Sequence, residues 1–276
     1  MPFKGFDMLR YYDIHAHLAD ARLAGQLDAI LARSREAGVR GILANAARLA
    51  EWDVIVELSG RDIVYGAVGL HPFFSTDWTE SCGARLRQII LEEPKVVAIG
   101  EIGLDFYSGR DDVQRQIHSL RAQLEIAHEL NVPVILHNRK SWNEFFQMLK
   151  DVPLPAAGGV LHHFTGSREL ARQAMAKGLY ISFCGPLTYS NARTIKDVAR
   201  YVPLDRILTE TDTPDLPAAR YRGGQSHPYH VPEIVRELAR LRGCEEAEVC
   251  AQVEDNFRTL IGGSHYLAGN ESACIS

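Results

Sequence analysis

The sequence predicts an α/β chain closed into a single (β/α)8 TIM barrel, and three observations lead there. Short β-branched runs alternate from end to end with longer amphipathic stretches, the pattern of repeated βα units around a parallel sheet. Eight strand candidates can be counted, at about 11–17, 41–46, 62–70, 96–102, 132–138, 159–164, 179–184 and 206–211. Polar residues able to carry chemistry stand at the C-terminal ends of these strands, where such a barrel builds its active site. An open doubly wound sheet would spread them along an edge, whereas a closed barrel gathers strands distant in sequence around one mouth.

Between the strands lie helix-like segments such as Leu23 to Ala37, Asp111 to Leu130, Arg168 to Lys177 and Asn191 to Tyr201. Gly38 and Gly178 follow their helices as C-terminal stops, and Ser167 precedes one as an N-cap. Two helical runs at about 231–242 and 245–260 close the chain, and the small, polar tail from Gly262 onward is expected to fray. With no Pro/Ser/Gly-rich linker or low-complexity tract, the expectation is one domain over residues 1–276, with a core of about 11–260 and a tail at 262–276.

A chain of 276 residues with 46% hydrophobic content can bury a large core. No run of about 18 apolar residues exists, and Met1 to Asp7 lacks the charged-then-apolar layout of a signal peptide, so a cytoplasmic protein without membrane attachment is expected. The five cysteines are scattered without a C-x-x-C pair, which argues against a disulfide framework or thiolate zinc site and fits a reducing compartment. A formal net charge of -5 excludes a global basic field, so a polyanionic substrate must be held locally by metal ions and a few cations. No obligate protein partner is evident.

Six segments each end on a potential metal ligand: Asp13-Ile14-His15-Ala16-His17, Gly69-Leu70-His71, Ile99-Gly100-Glu101, Ile135-Leu136-His137, Val160-Leu161-His162 and Thr209-Glu210-Thr211-Asp212. The two-residue period of a strand puts His15 and His17 on one face, so two imidazoles can converge on one cation. Such a mouth can hold one or two divalent cations such as Zn²⁺, Mn²⁺ or Mg²⁺. Glu101, near the middle of the series, is the natural bridge, with His15, His17 and Asp212 serving one cation and His137 and His162 the other. Two cations about 3.5–4 Å apart activate a shared water, so hydrolysis is the reaction class that uses this arrangement directly. Asp212 can bind metal and also accept the proton of the attacking water. Glu210 should share its side of the strand with Asp212, in the barrel interior or just behind the ligands.

Ordinary roles explain other residues. Isolated histidines such as His118, His128 and His265 read as structural side chains, and His71 is divided between metal-adjacent chemistry and turn packing before Pro72. Arg139, Lys140, Arg220 and Arg222 fall in mouth-side loops where they can meet phosphates or simply face solvent. Phe73, Phe74, Phe106, Tyr107 and Tyr189 occupy similar loops and can stack on bases or pack locally.

In order along the chain, Asp13-Ile14-His15-Ala16-His17-Leu18, Gly69-Leu70-His71-Pro72, Ala98-Ile99-Gly100-Glu101-Ile102-Gly103-Leu104-Asp105, Pro133-Val134-Ile135-Leu136-His137, Leu161-His162-His163-Phe164-Thr165-Gly166-Ser167 and Leu208-Thr209-Glu210-Thr211-Asp212-Thr213-Pro214 resemble the successive motifs of the TatD family of metal-dependent deoxyribonucleases, within the amidohydrolase-like barrel superfamily. The resemblance runs from about residue 11 to Leu260. It implies a hydrolase with DNase or 3′→5′ exonuclease activity, using two divalent cations on DNA or nucleotide phosphodiesters. By that similarity His15, His17, Glu101, His137, His162 and Asp212 would be metal ligands, while His71 and Asp105 match polar positions near the family's active site that touch substrate or stand behind the ligands. His163 stands where the family often has cysteine, and Tyr221 to Tyr229 replaces an Arg/Asn-rich loop with Asn-x-Pro.

Two rival readings keep the metals. One changes the scissile bond to an amide, lactone or aminoacyl ester, although no carboxylated-lysine candidate stands at the fifth strand, where His137 sits. The other is a non-catalytic, metal-stabilised binding protein, against which the complete ligand set with Asp212 argues.

Overall fold

The computed structural model describes residues 9–110 and 112–262. The first eight residues, the expected helix start at Asp111, the tail beyond Gly262 and His265 lie outside the described residues.

Eight parallel strands lie in sequence order: β1 (Tyr11–Ala16), β2 (Val39–Asn45), β3 (Val64–Val68), β4 (Val96–Asp105), β5 (Val134–Arg139), β6 (Gly159–Leu161), β7 (Leu179–Phe183) and β8 (Ile207–Thr209). The helices between them are α1 (Leu27–Glu36), α2 (Trp52–Ser59), α3 (Glu80–Glu92), α4 (Val113–Leu130), α5 (Trp142–Asp151), α6 (Arg168–Met175) and α7 (Arg193–Tyr201), and α8 (Val231–Arg242) and α9 (Glu246–Gly262) follow β8. Helices covering one face and barrel-filling side chains the other leave strands buried throughout, as in β1 and β4, so burial runs on continuously rather than alternating, and the polar Asp13, His15, Glu101 and Asp105 are buried with the rest.

The ring closes where β1 meets the chain just after β8. Ala16 bridges Thr213, the Asp212 N–H donates to His15 O at 2.9 Å, and the His17 N–H donates to Thr213 O at 2.7 Å. The Thr209 hydroxyl adds a bond to Tyr12 O at 2.7 Å. These bonds satisfy what would otherwise be two open edges, and the eight-stranded barrel is the result. Outside the seam, Asn256 of α9 donates to Leu204 O and Ile207 O, both at 2.7 Å, and the Phe257 ring packs 4.9 Å from Tyr12.

Local signals were legible where short-range geometry decides them. Ser167 caps α6 by accepting from the Leu170 N–H, and Gly38 and Gly178 take φ of +89° and +85° after α1 and α6. Strand ends differ from expectation in an informative way. β6 stops at Leu161 and β8 at Thr209, short of the expected 164 and 211. Beyond them the backbone leaves strand geometry, with His163 at φ +40° and Asp212 at φ +51°, conformations unfavourable for residues with a Cβ that concentrate at functional sites. β4 runs on to Asp105, past the expected 102, with a register shift between Ile99 and Ile102 that brackets Glu101.

Candidate metal centre

The five strand ends and the turn after β8 place their polar side chains in one cluster at the C-terminal mouth. His15 and His17 follow the two-residue period of β1, and their Nε2 atoms lie 3.2 Å apart. Each is 3.4 Å from Glu101 Oε2 and 3.5 Å from Asp212 Oδ1. Ligand bonds of about 2.1 Å in a tetrahedron give edges of about 3.4 Å, so this set is spaced as a cation would space it. The other Glu101 oxygen serves a second set. Oε1 lies 2.7 Å from His162 Nε2, 2.8 Å from His137 Nδ1 and 3.5 Å from His71 Nε2, with the first two nitrogens 3.1 Å apart. Three overlapping ligand groups result: His15, His17 and Asp212; His15, Glu101 and His162; and His71, Glu101 and His137.

Around these atoms the hydrogen bonds fix orientation. His17 Nδ1 lies 3.2 Å from Asn45 O, which aims Nε2 into the cluster. On the far side, His137 Nε2 is 3.0 Å from Asp105 Oδ2, while Asp105 Oδ1 accepts from the Tyr107 N–H at 2.8 Å. Asp105 is thus committed to His137 and its own loop. His71 Nδ1 accepts from the Phe73 N–H at 3.1 Å, which leaves the neutral ring's proton on Nε2, facing Glu101.

Electrostatics divide the acids sharply. Burial alone would raise the Glu101 carboxyl, but the imidazoles of His162, His71 and His15 and the hydrogen bond from His137 hold it well below the usual range. Asp212 is likewise held down, its burial outweighed by His17, His15 and His162. Glu210, fully buried with its Oε2 unpartnered, is pushed well above the usual range by burial and by the Asp212 charge. It accepts from the His163 N–H at 2.6 Å and lies buried behind His162, although the strand period behind that expectation ends at Thr209. Among the imidazoles, desolvation is outweighed by the carboxylates at His17 and His137, both raised to about 9. It prevails at His71, lowered to about 3, and at His162, lowered to about 4.

A buried, ionised carboxylate with histidines on both of its oxygens is a donor set for divalent cations. The family model for TatD related DNases matches residues 12–262, which contain every one of these side chains. The chain belongs to this TatD-related family. It is 34% identical over 252 residues to YabD of Bacillus subtilis, named a metal-dependent hydrolase, spanning 90% of this chain and 98% of that protein. It is also 34% identical over 256 residues to the 3′-5′ ssDNA/RNA exonuclease TatD of Erwinia tasmaniensis, covering 90% and 98%. The crystal structure of the TatD homologue YJJV from Escherichia coli superposes with a TM-score of 0.88 at 32% identity, over 92% of this chain and 99% of that one. The protein is therefore a metal-dependent hydrolase.

The TatD-family mouth is a cavity of about 700 Å³ whose lining includes His17, His71, Glu101, His137, His162 and Asp212. Its outer wall carries Arg139, Phe73 and Phe74. Arg139 lies 3.6 Å from the centre of the Tyr107 ring, and Phe73 is 57% exposed. His163 also lines it, but through a strained backbone that sends its N–H to Glu210. Arg220 pairs with Glu233, Arg222 covers Tyr189 and Lys140 covers Tyr107, all outside the cavity lining. The departing loop at Tyr221 to Tyr229 braces the site from behind, where Ser226 donates its hydroxyl to Thr211 O at 2.9 Å.

Two positions escaped the sequence reading. Asp13 is fully buried and accepts from the Thr211 N–H at 3.0 Å, the Thr211 hydroxyl and the His15 N–H, so it locks β1 to the turn that carries Asp212. Its signal was available, since the period that pairs His15 with His17 puts Asp13 on the same face. Asn45 had none, because it acts through its backbone carbonyl. The mouth lining also includes Arg22 and Arg48, tied to Asp20, Asp215 and Glu51.

Among the described residues no helix is long and apolar enough to cross a membrane.

Proposed function

We propose that this protein is a two-cation nuclease of the cytoplasm that hydrolyses phosphodiester bonds at the 3′ end of DNA strands, the chain acting as one catalytic domain. The observation that carries this reading is the division of Glu101, whose Oε2 faces His15 and His17 while its Oε1 faces His137 and His162. His15, His17, Glu101 and Asp212 would hold one divalent cation, Zn²⁺, Mg²⁺ or Mn²⁺, and Glu101, His137 and His162 the other. Cations held there would supply Lewis acidity, lowering the pKa of the attacking water and neutralising charge on the attacked phosphate.

This chain's own groups do the rest. Asp212, kept ionised by its imidazole neighbours, accepts the proton of the attacking water. Its second function as ligand holds that carboxylate in place. Neutral His71 presents Nε2–H beside Glu101, where it can donate to a phosphate oxygen. Asp105 acts one step removed, orienting His137 through its ring nitrogen. Arg139 on the outer wall pairs with the phosphate, and the exposed Phe73 ring offers a stacking surface for the adjacent base.

The deciding experiment is hydrolysis of single-stranded and duplex oligonucleotides with Mg²⁺, Mn²⁺ or Zn²⁺, before and after chelation, beside panels of lactones and amides. Metal-dependent release of mononucleotides from the 3′ end, lost on chelation and restored on readdition, is the expected outcome. Stoichiometric metal binding with cleavage of the carbonyl substrates alone would remove the nuclease assignment.

A further inference from the structure

A second cavity lies beside the mouth, and it is positively charged in a chain whose net charge is negative. It occupies about 550 Å³ between α6 and α7, lined by Arg168 at the start of α6 and by Arg193, Lys196, Asp197 and Arg200 along the length of α7, with hydroxyls from Ser167 and Ser190 at its rim. The N-termini of barrel helices sit at the C-terminal ends of the strands, so the end of this groove at Arg168 and Arg193 opens on the same face as the metal centre, and the groove runs from there down the flank of α7 to Arg200, about 10 Å along the helix. The loop after β6 is the shared wall: Thr165 lines the mouth, and Ser167, two residues on, lines the groove. Two residues span at most about 7 Å. One extended strand can therefore occupy both.

The cations in this groove are not equivalent. Arg168 pairs with Asp197 across the two helices, and Lys196 pairs with Glu237 of α8 at 3.1 Å. Arg193 and Arg200, one helical face apart by seven residues, are exposed and have no carboxylate partner among the described residues; Arg200 reaches only Lys196 O, at 3.4 Å. By contrast, Arg22 and Arg48 in the mouth lining are neutralised by Asp20, Asp215 and Glu51. Unopposed positive potential thus leads away from the mouth over the β6–α6 loop.

We infer that this groove is a phosphate subsite, in which Arg193 and Arg200 hold internucleotide phosphates of a polynucleotide whose end lies at the metal centre. The inference rests on the nuclease reading and specifies it: the preferred substrate is a strand several nucleotides long rather than a dinucleotide. Guanidinium forks match phosphate oxygens in pairs, and such contacts bind without reading sequence.

The test compares wild type with Arg193→Ala/Arg200→Ala, and with the charge reversal Arg193→Glu, on a 12-nucleotide single strand and on a dinucleotide. The double variant should raise KM for the 12-mer about five- to twentyfold, leave dinucleotide hydrolysis and melting temperature unchanged, and lower the slope of log affinity against log salt by about 1.4, two single-strand phosphate contacts. Equal effects on both substrates, or none on either, would overturn the subsite. If wild type cleaves no nucleic acid, the nuclease reading fails by itself, and anisotropy of a labelled 12-mer on chelated protein still decides the groove. Salt-dependent binding that the variant loses keeps it; absent or variant-insensitive binding removes it. Displacement of the 12-mer by inorganic phosphate as effective as by unlabelled strand would assign the groove to free phosphate and overturn the inference.

Discussion

The two halves of the mouth use the same residue types with different spacing. On the seam side, where β1 meets the turn after β8, the His15 and His17 Nε2 atoms stand 3.2 Å from each other and 3.4–3.5 Å from Glu101 Oε2 and Asp212 Oδ1, at or past the long end of hydrogen bonding and close to the edges of a coordination tetrahedron. On the β5–β6 side, His137, His162 and Glu101 Oε1 stand 2.7–3.1 Å apart, within hydrogen-bond range of one another. The difference follows from what holds each half. The seam is stitched by backbone bonds and by Asp13 beneath it, so its side chains are kept apart by main chain. In the other half, Asp105 holds His137 by one ring nitrogen while Glu101 meets the other, so side chains satisfy each other. The seam already has the spacing of a coordination shell and need only release the His17 proton, whereas the tighter cluster must also move apart as it exchanges its internal bonds for metal bonds. The seam should bind more tightly.

Glu101→Ala removes the one group common to both halves and should show the largest effect. Turnover should fall about a thousandfold or more and metal content from two ions towards none, checked by steady-state kinetics with elemental analysis. Full activity in this variant would break the idea that the halves share a bridge. Asp212→Asn should come next, at about a hundred- to ten-thousandfold in kcat, because it removes the proposed proton acceptor and weakens the seam alone. One ion should remain. Retention of both ions at wild-type affinity would show that the seam does not use Asp212. Asp105→Asn should leave the seam ion untouched and weaken metal affinity in the other half about ten- to a hundredfold. Calorimetric titration resolving two sites checks this, and an equal loss at both would erase the distinction.

The smallest effect is a pH dependence that carries one proton from each half. In the metal-free protein His17 and His137 titrate near 9, above the ordinary 6.5. A folded-state value above the unfolded one gives stability that is fully present below 6.5 and lost as pH rises through 9. His71 and His162, pushed down to about 3 and 4, act below that window. Thermal unfolding of chelated protein should therefore shift to lower temperature between pH 6.5 and 9, while apparent metal affinity rises over the same range because a cation must displace those protons. His17→Gln should reduce the shift, the remainder coming from His137 and from Glu210, whose raised carboxyl also loses stability as pH rises. A melting temperature flat across that window would contradict the proton on each half.

Much of this was legible in the chain before folding. The βα alternation named the barrel, the period of β1 put His15 and His17 on one face, and Ser167 and Gly38 marked helix ends, because each depends on neighbours a few residues away. The ligand candidates were legible for a related reason: an acid such as Glu101 inside an apolar strand is costly without a partner, so its presence implied one. Tertiary structure alone decided which atoms meet. That one Glu101 oxygen faces β1 and the other β5 and β6, that Asp105 turns to His137, and that Arg193 and Arg200 have no carboxylate partner among the described residues depend on barrel closure and on bonds between residues up to about two hundred positions apart, as in Asp13 with Thr211. Periodicity fixes the face on which a side chain lies; only the packing of distant strands fixes what it finds there.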